Sequence, residues 1–92
     1  MSWPGKHAPV VTLYTRPGCT LCDRVERLLA QLAVEGLLRW RRVNIEDEPA
    51  LLARFEHAIP VVAIERGPTF EGRISEYRLR RALGARRDAI VE

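Results

Sequence analysis

The hydrophobic and polar positions change their period along the chain, and each change marks a predicted element. A β-rich apolar run at residues 10–14 ends at the turn formers Pro17 and Gly18 and predicts a first strand. Apolar residues then recur at helical spacing opposite a charged side, which predicts an amphipathic helix that ends at Gly36. These apolar residues are Leu21, Val25, Leu28, Leu29 and Leu32.

The middle of the chain predicts a second strand and a short second helix. Residues 38–45 alternate between apolar and charged side chains, and the alternation slips at Arg41 and Arg42, which predicts a bulge. Residues 47–48, Asp and Glu, can cap a helix that has Pro49 in its first turn. The buried side of this helix is predicted to be Leu51, Leu52 and Phe55.

The last third of the chain predicts a hairpin and a final helix. Residues 61–64 are continuously apolar, as expected for a strand covered on both faces, and the turn formers at 66–68 lead to a strand at 69–71. Ser75 can cap the last helix, and Gly84 is expected to mark its fraying end. The inward side chains of this helix are predicted to be Leu79, Ala82 and Leu83.

The resulting order, β-α-β-α-β-β-α, predicts one α/β domain. A strand-helix-strand crossover favours a parallel pair, and the hairpin adds antiparallel strands, so we expect a mixed four-stranded sheet with helices on both faces. The domain is assigned to residues 10–92, after a flexible tail at residues 1–9. The chain has neither an apolar run of about 18 residues nor a secretory signal, so we expect a cytoplasmic protein without membrane contact.

Charge adds little to this assignment. The net charge is +3, from fourteen Arg and one Lys against twelve acidic residues. Because no motif of basic and aromatic residues accompanies the charge, we expect no nucleic-acid partner. The arginines near the end of the chain form either a solvated helix face or a surface that steers acidic partners or glutathione carboxylates. They are Arg73, Arg78, Arg80, Arg81, Arg86 and Arg87.

The chain has only two cysteines, and they have the clearest chemistry. Cys19 and Cys22 lie where the first strand passes into the first helix. Free N–H groups and the helix dipole stabilise an anion there, so the pKa of the Cys19 thiol is expected below its ordinary value of about 8.5. Cys22, one turn further along, lies on the same face. The spacing predicts a redox-active dithiol in which Cys19 is the nucleophile and Cys22 the resolving thiol.

The neighbours of the pair and the other possible ligands leave alternatives open. Arg16 either adds positive charge near Cys19 or is merely solvated, and Asp23 either disfavours a second thiolate or complements the helix dipole. The cysteines can also be an inert structural pair. A closed zinc site needs about four ligands, and only His7 and His57 accompany the cysteines, so we expect no metal within one chain. A dimer that shares four cysteines around zinc or an iron–sulfur cluster is a further alternative.

Three segments resemble glutaredoxins and glutaredoxin-like proteins. Residues 11–22 read VTLYTRPGCTLC and resemble the active-site segment of that family. Residues 43–46, VNIE, resemble its second strand, and residues 58–61, AIPV, resemble its proline loop. The resemblance spans about residues 10–83 and implies a thioredoxin-like fold. It also implies thiol-disulfide oxidoreductase activity on protein or small-molecule disulfides.

The resemblance further implies which residues surround the dithiol. Pro60 would be cis, and the backbone of Ile59 would be free to pair with a peptide-like substrate by strand addition. Arg16, Gly72 and Ser75 would belong to the substrate- or glutathione-binding site.

We expect no tightly bound cofactor, and the reductant would be glutathione or a thioredoxin reductase-like donor. The chain is expected to be a monomer. Thr20 and Leu21 stand where common glutaredoxins have Pro and Tyr, and Gly18 stands where thioredoxins have Trp. The alternative of a different class is a binding module that holds a partner in the groove beside the proline loop, with the cysteines incidental.

Overall fold

The observed element order is the predicted one. The computed structural model describes residues 8–91, and their side chains as far as residue 84. It contains one additional element, the short 3-10 helix Ile45–Asp47. The strands are Val10–Thr15 (β1), Arg39–Asn44 (β2), Val61–Ile64 (β3) and Thr69–Glu71 (β4). The helices are Thr20–Val34 (α1), Pro49–Phe55 (α2) and Glu76–Val91 (α3).

The four strands form one mixed sheet in the order β2-β1-β3-β4, which confirms the prediction. β1 pairs in parallel with β2 and antiparallel with β3, and β3 pairs antiparallel with β4. Thr15 lies opposite Asn44, and Tyr14 lies opposite Val61. The carboxyl ends of β1 and β2 and the amino end of β3 therefore lie at the same edge of the sheet.

Helices cover both faces of the sheet, as predicted. On one face, buried residues of α1 and α3 pack against β1 and β3, and on the other face Phe55 of α2 packs against Val61. The ring of Tyr14 stacks on that of Phe55, with 4.6 Å between their centroids. The first core consists of Val11, Leu13, Val25, Leu29, Leu32, Leu38, Val62, Ile64, Leu79 and Leu83.

Helix α1 ends where Gly36 predicts. Gly36 has a φ of 83°, a left-handed conformation that a residue with a Cβ adopts only at a cost. Its N–H donates to the carbonyl of Ala33 at 2.9 Å, and the N–H of Leu37 donates to the carbonyl of Leu32 at 3.1 Å. These two bonds form a Schellman motif, which satisfies the last carbonyls of the helix and turns the chain towards β2.

The second strand differs from its prediction in two respects. All six residues of β2 pair one to one with β1, so the bulge expected at Arg41 and Arg42 is wrong. β2 is an edge strand, and both arginines are exposed, so a break in apolar alternation there does not report a break in pairing. The strand also ends before Ile45, because the Asn44 side-chain oxygen accepts the N–H of Glu46 at 2.9 Å and begins the 3-10 helix.

The last helix begins as predicted and continues further. The Ser75 hydroxyl accepts the N–H of Arg78 at 3.3 Å, and the Ser75 carbonyl accepts the N–H of Leu79 at 3.0 Å. The expected fraying at Gly84 is wrong, because α3 extends to Val91. One glycine costs a helix only about 1 kcal/mol relative to alanine, and the following Ala and Arg residues are good helix formers.

The amino-terminal boundary is earlier than residue 10. Ala8 and Pro9, assigned to the tail, are buried, and the Arg39 guanidinium donates to the Ala8 carbonyl at 3.1 Å. Residues 1–7 of the predicted tail lie outside the described residues. Between residues 8 and 91, no helix has both the length and the apolar character needed to span a bilayer.

An ion-pair network ties the end of α1 to the start of α3. The Arg80 guanidinium donates to both carboxylate oxygens of Glu35, at 2.8 and 2.9 Å, and to Glu76 at 2.8 Å. The hydrogen bonds from Arg80, and to a lesser degree from Gln31, lower the pKa of Glu35 from 4.5 to about 2, while partial desolvation opposes the shift. The same bonds raise the pKa of Arg80.

Removing the charge of Glu35 is expected to destabilise the fold only where that carboxylate is ionised. A carboxyl group whose pKa falls on folding contributes stability above its unfolded pKa, and this contribution is lost as the pH drops from 4.5 towards 2. Because the pair is exposed, Glu35→Gln should lower the Tm by only about 1–5 °C at pH 7 in low salt. Thermal unfolding across pH and salt measures this.

Glu56→Gln is the matched control, since Glu56 is exposed and has no ion pair with a described residue. The Glu35→Gln difference should shrink in concentrated salt and near pH 2, while the control stays close to wild type. A Glu35→Gln difference of the same size at every pH would contradict the ionic origin of the stabilisation.

Candidate functional site

Four loops meet at one edge of the sheet and form the candidate site. The loop after β1 leads to Cys19, and the loop after β2 carries Glu46. Val61 pairs with both Tyr14 and Glu71, so the loop before β3 lies between the end of β1 and the loop after β4. The pairing register therefore brings together segments that are distant in the sequence.

The two cysteines form a disulfide at the start of α1. Their Cα atoms are 5.2 Å apart. Cys19 is the N-cap residue of the helix, and its sulfur accepts the backbone N–H of Cys22 at 3.1 Å. Cys22 is 2% exposed, whereas Cys19 is partly exposed. The arrangement gives one sulfur access to solvent and a hydrogen bond to the open end of the helix, and it places the other sulfur behind it.

Gly18 forms the turn that places Cys19 at the N-terminus of α1. Its φ is 82°, in the left-handed region, and the space around a Cβ at Gly18 is open. A larger residue would therefore be disfavoured by backbone conformation and not by a steric clash with neighbouring groups. Pro17 and Gly18 are both exposed, so this turn lies at the surface of the protein.

Arg16 is paired and does not point its charge freely at the dithiol. Its Nε and Nη2 atoms donate to one carboxylate oxygen of Glu46, at 3.1 and 2.9 Å. A polar cleft of about 310 Å³ lies beside this pair and Gly18, and Asp23 and Glu26 also line it. Because Glu46 offsets the charge of Arg16, the ion pair adds little net charge beside Gly18, whereas the N-terminus of α1 lies at Cys19 itself.

The proline loop agrees with the resemblance in the cis peptide bond at Pro60 and differs from it in part in the backbone of Ile59. The Ile59-Pro60 peptide bond is cis, and Pro60 is buried. The N–H of Ile59 donates to the carbonyl of Phe55 at 3.2 Å, so the expectation that the whole Ile59 backbone is free is wrong. This N–H belongs to the closing turn of α2. Among the described residues, none donates a backbone hydrogen bond to the Ile59 carbonyl.

Gly72 and Ser75 both make bonds within the fold. The N–H of Gly72 donates to the carbonyls of Ala58, at 3.1 Å, and Pro60, at 2.8 Å. Ser75 caps α3 through its hydroxyl. The bonds of Gly72 place it beside the proline loop, its φ of 68° accounts for the glycine, and the capping bond accounts for Ser75. Their expected part in binding glutathione stays a prediction.

Metal-ligand groups are sparse around the cysteines. Within the described residues, no three His, Cys, Asp or Glu side chains are placed so that they could hold a metal ion. His57 is exposed, and His7 lies outside the described residues.

Residues 10–84 match the family described as Glutaredoxin-like domain (DUF836). The chain belongs to this family. A glutaredoxin-like domain with a Cys19–Cys22 disulfide at a helix N-terminus supports a thioredoxin-like redox role, and the resemblance seen in the sequence is confirmed.

Relatives of this glutaredoxin-like chain span most of its length. Proteins of Mycobacterium bovis and Mycobacterium tuberculosis, each named only as uncharacterized, are 32% identical to this chain over an alignment of 77 residues that covers 78% of this chain and 79% of theirs. The X-ray structure of XcR50, a structural-genomics target protein from X. campestris, has a TM-score of 0.69 and 32% identity, covering 82% of this chain and 96% of that one. This similarity confirms the predicted thioredoxin-like fold.

Glu46 is the site residue whose contact the sequence analysis missed. It was identified only as part of a segment that resembles the family's second strand. Its carboxylate meets Arg16 across thirty positions of sequence, because β1 and β2 end side by side. A charge pair at that separation has no local sequence signal. Strand pairing had to be known first.

The Arg16–Glu46 pair leads to an expectation about thiol acidity. The double variant Arg16→Gln/Glu46→Gln should change the pKa of the Cys19 thiol by less than about 0.5, because the ion pair that it removes has no net charge. Glu46→Gln should lower that pKa, because Arg16 is then left without its carboxylate. The rate of iodoacetamide alkylation against pH measures both effects, in a Cys22→Ser background that leaves one thiol.

Asp23→Asn is the matched control, since it also removes one negative charge from the same cleft. It should change the Cys19 pKa in the same direction as Glu46→Gln, and it should do so in an Arg16→Gln background as well. Glu46→Gln should have a smaller effect in that background. An increase of a full unit or more from the double variant would show that the arginine, and not the helix end, stabilises the thiolate.

Proposed function

We propose that the protein is a thiol-disulfide oxidoreductase that reduces protein or small-molecule disulfides, with Cys19 as nucleophile and Cys22 as resolving thiol. The observation that carries the proposal is the hydrogen bond from the Cys22 N–H to the Cys19 sulfur at the open end of α1. In the reduced protein the same N–H would stabilise a Cys19 thiolate, together with the helix dipole. An inert structural pair does not require this placement.

The unequal exposure of the two sulfurs supports the order of events. The partly exposed Cys19 thiolate attacks one sulfur of the substrate disulfide. A bond forms between Cys19 and the substrate, the substrate S–S bond breaks, and the departing sulfur takes up a proton. The buried Cys22 can reach only Cys19, so it is suited to the second step.

The second step closes the protein disulfide. The Cys22 thiol gives its proton to solvent, and its thiolate attacks the Cys19 sulfur. The Cys19–Cys22 bond forms, the mixed disulfide breaks, and the second substrate sulfur leaves and is protonated. In total, two electrons pass from the protein to the substrate. The protein releases two protons to solvent, one when Cys19 ionises and one from Cys22, and the two substrate sulfurs take up two protons from solvent.

We place the substrate chain against the proline loop. Because the Ile59 N–H is bonded to Phe55, strand addition at this position would use the Ile59 carbonyl alone. One such hydrogen bond contributes about 0.5–1.5 kcal/mol, so contacts elsewhere must supply most of the binding free energy. Arg16, held by Glu46, lines the polar cleft together with Gly18.

A thiol donor must return the disulfide to the dithiol, and we propose glutathione or a thioredoxin reductase-like protein in the reducing conditions of the cytoplasm. Electrons pass through sulfur alone, so the proposal requires no tightly bound cofactor and only one chain. The Gly72 N–H and the Ser75 hydroxyl oxygen already take part in hydrogen bonds within the fold, and the Ser75 hydroxyl keeps its proton to donate to glutathione.

Serine substitutions separate the roles of the two cysteines. Cys19→Ser should abolish the reduction of both a small-molecule disulfide and a protein disulfide. Cys22→Ser should form the mixed disulfide but fail to release it, so the substrate should accumulate as a covalent adduct detectable by mass spectrometry. Reaction in glutathione buffers, followed in the same way, shows whether glutathione forms this adduct and serves as donor.

Thr20→Ser is the matched control, because Thr20 is exposed between the cysteines and the substitution retains a hydroxyl group. This variant should remain active, and circular dichroism should show that all three variants fold. Turnover by the Cys19→Ser variant, or the absence of any adduct with Cys22→Ser, would reject the proposed function.

A further inference from the structure

A second concave surface extends along α1 from Leu21, the residue before Cys22. It is a groove of about 690 Å³ between α1 and the segment that enters α3, and we call it the α1 groove. Its lining residues on α1 include Leu21, which lies between the two cysteines in the sequence. From Leu21 to Gln31 the helix rises about 15 Å, so the groove is long enough for about four or five extended residues.

The floor of the α1 groove is apolar. Val25 is buried, and Leu28 and Ile74 are partly buried against the main core. Leu21 is partly exposed at the end nearest the cysteines. A floor of this kind gives an extended chain apolar contact, in contrast to the charged cleft that lies beside Arg16.

The rim of the α1 groove carries unbalanced positive charge. Arg24, Arg27 and Arg73 line it, are exposed and make no ion pair with any described residue. The one acidic residue of the lining, Glu76, is paired with Arg80. The groove therefore offers three guanidinium groups without counter-charges, which attract carboxylates and bind them by forked hydrogen bonds.

We propose that the α1 groove is a docking site for an extended acidic segment of a disulfide-bearing protein substrate. The apolar floor favours a polypeptide over a nucleic-acid backbone, and the arginine rim selects aspartate and glutamate side chains. The end of the groove at Leu21 brings a cysteine next to the bound segment close to Cys19. The inference rests on the proposed function for its consequence, which is a preference among substrates, but the binding itself requires no redox step.

Binding of a disulfide-free peptide tests the docking site directly. A short fluorescent glutamate-rich peptide should bind the oxidised protein, and the same peptide with glutamine in place of glutamate should bind at least about tenfold more weakly in low salt. The double variant Arg24→Gln/Arg27→Gln should lose that difference. The matched control is Arg54→Gln/Arg78→Gln, which removes the same charge from exposed positions outside the groove and should keep it.

A redox experiment with the same sequences connects docking to turnover. When each peptide carries a disulfide, the ratio of reduction rates, acidic to neutral, should be well above one in wild type and should fall towards one in Arg24→Gln/Arg27→Gln. Equal affinity for both peptides in wild type, or equal losses in the control, would overturn the docking site. So would equal binding of a single-stranded oligonucleotide. Docking of the acidic peptide without reduction of either disulfide would support the groove and reject the proposed function.

Discussion

The pairing of β1 on both of its edges is the constraint on which the site depends. β2 pairs with one side of β1 and β3 pairs with the other. The chain leaves the carboxyl end of β1 and continues through a short turn into α1. The antiparallel partner brings the proline loop to the same point, and the parallel partner brings Glu46. The cysteines, the cis proline and the Arg16 ion pair are thus neighbours because of backbone hydrogen bonds between strands, not because of their own attractions.

Local sequence patterns predict much of this architecture. The period of α1, the glycine at its end and the serine before α3 each act within a few residues, so they are visible in the sequence. The register of β2 was not visible, because an exposed edge strand has no obligatory buried face. The dithiol could be identified from spacing and position, whereas the bond held by the Ile59 N–H depends on how α2 ends and could not.

Tertiary structure also decides which arginines carry free charge. The sequence groups six of them near the end of the chain, but their roles diverge among the described side chains. Arg80 is held between two carboxylates, and Arg81 lies over the ring of Tyr77 at 5.9 Å. Arg73 instead faces α1, where it joins two arginines that helical spacing alone would assign to a solvated surface. The side chains of Arg86 and Arg87 lie outside the described residues.

The Arg80 network has a further consequence for the space between α1 and α3. Glu35 is the C-cap residue of α1, and Glu76 is the first residue of α3, so one guanidinium bridges the two helices at the surface, beside the core that packs them together. The two sides of the α1 groove are therefore already ordered before the proposed acidic segment binds. The entropic cost of that association then falls mainly on the segment. The Arg80 network is thus a form of preorganisation. Because its charges lie at the surface, salt weakens it.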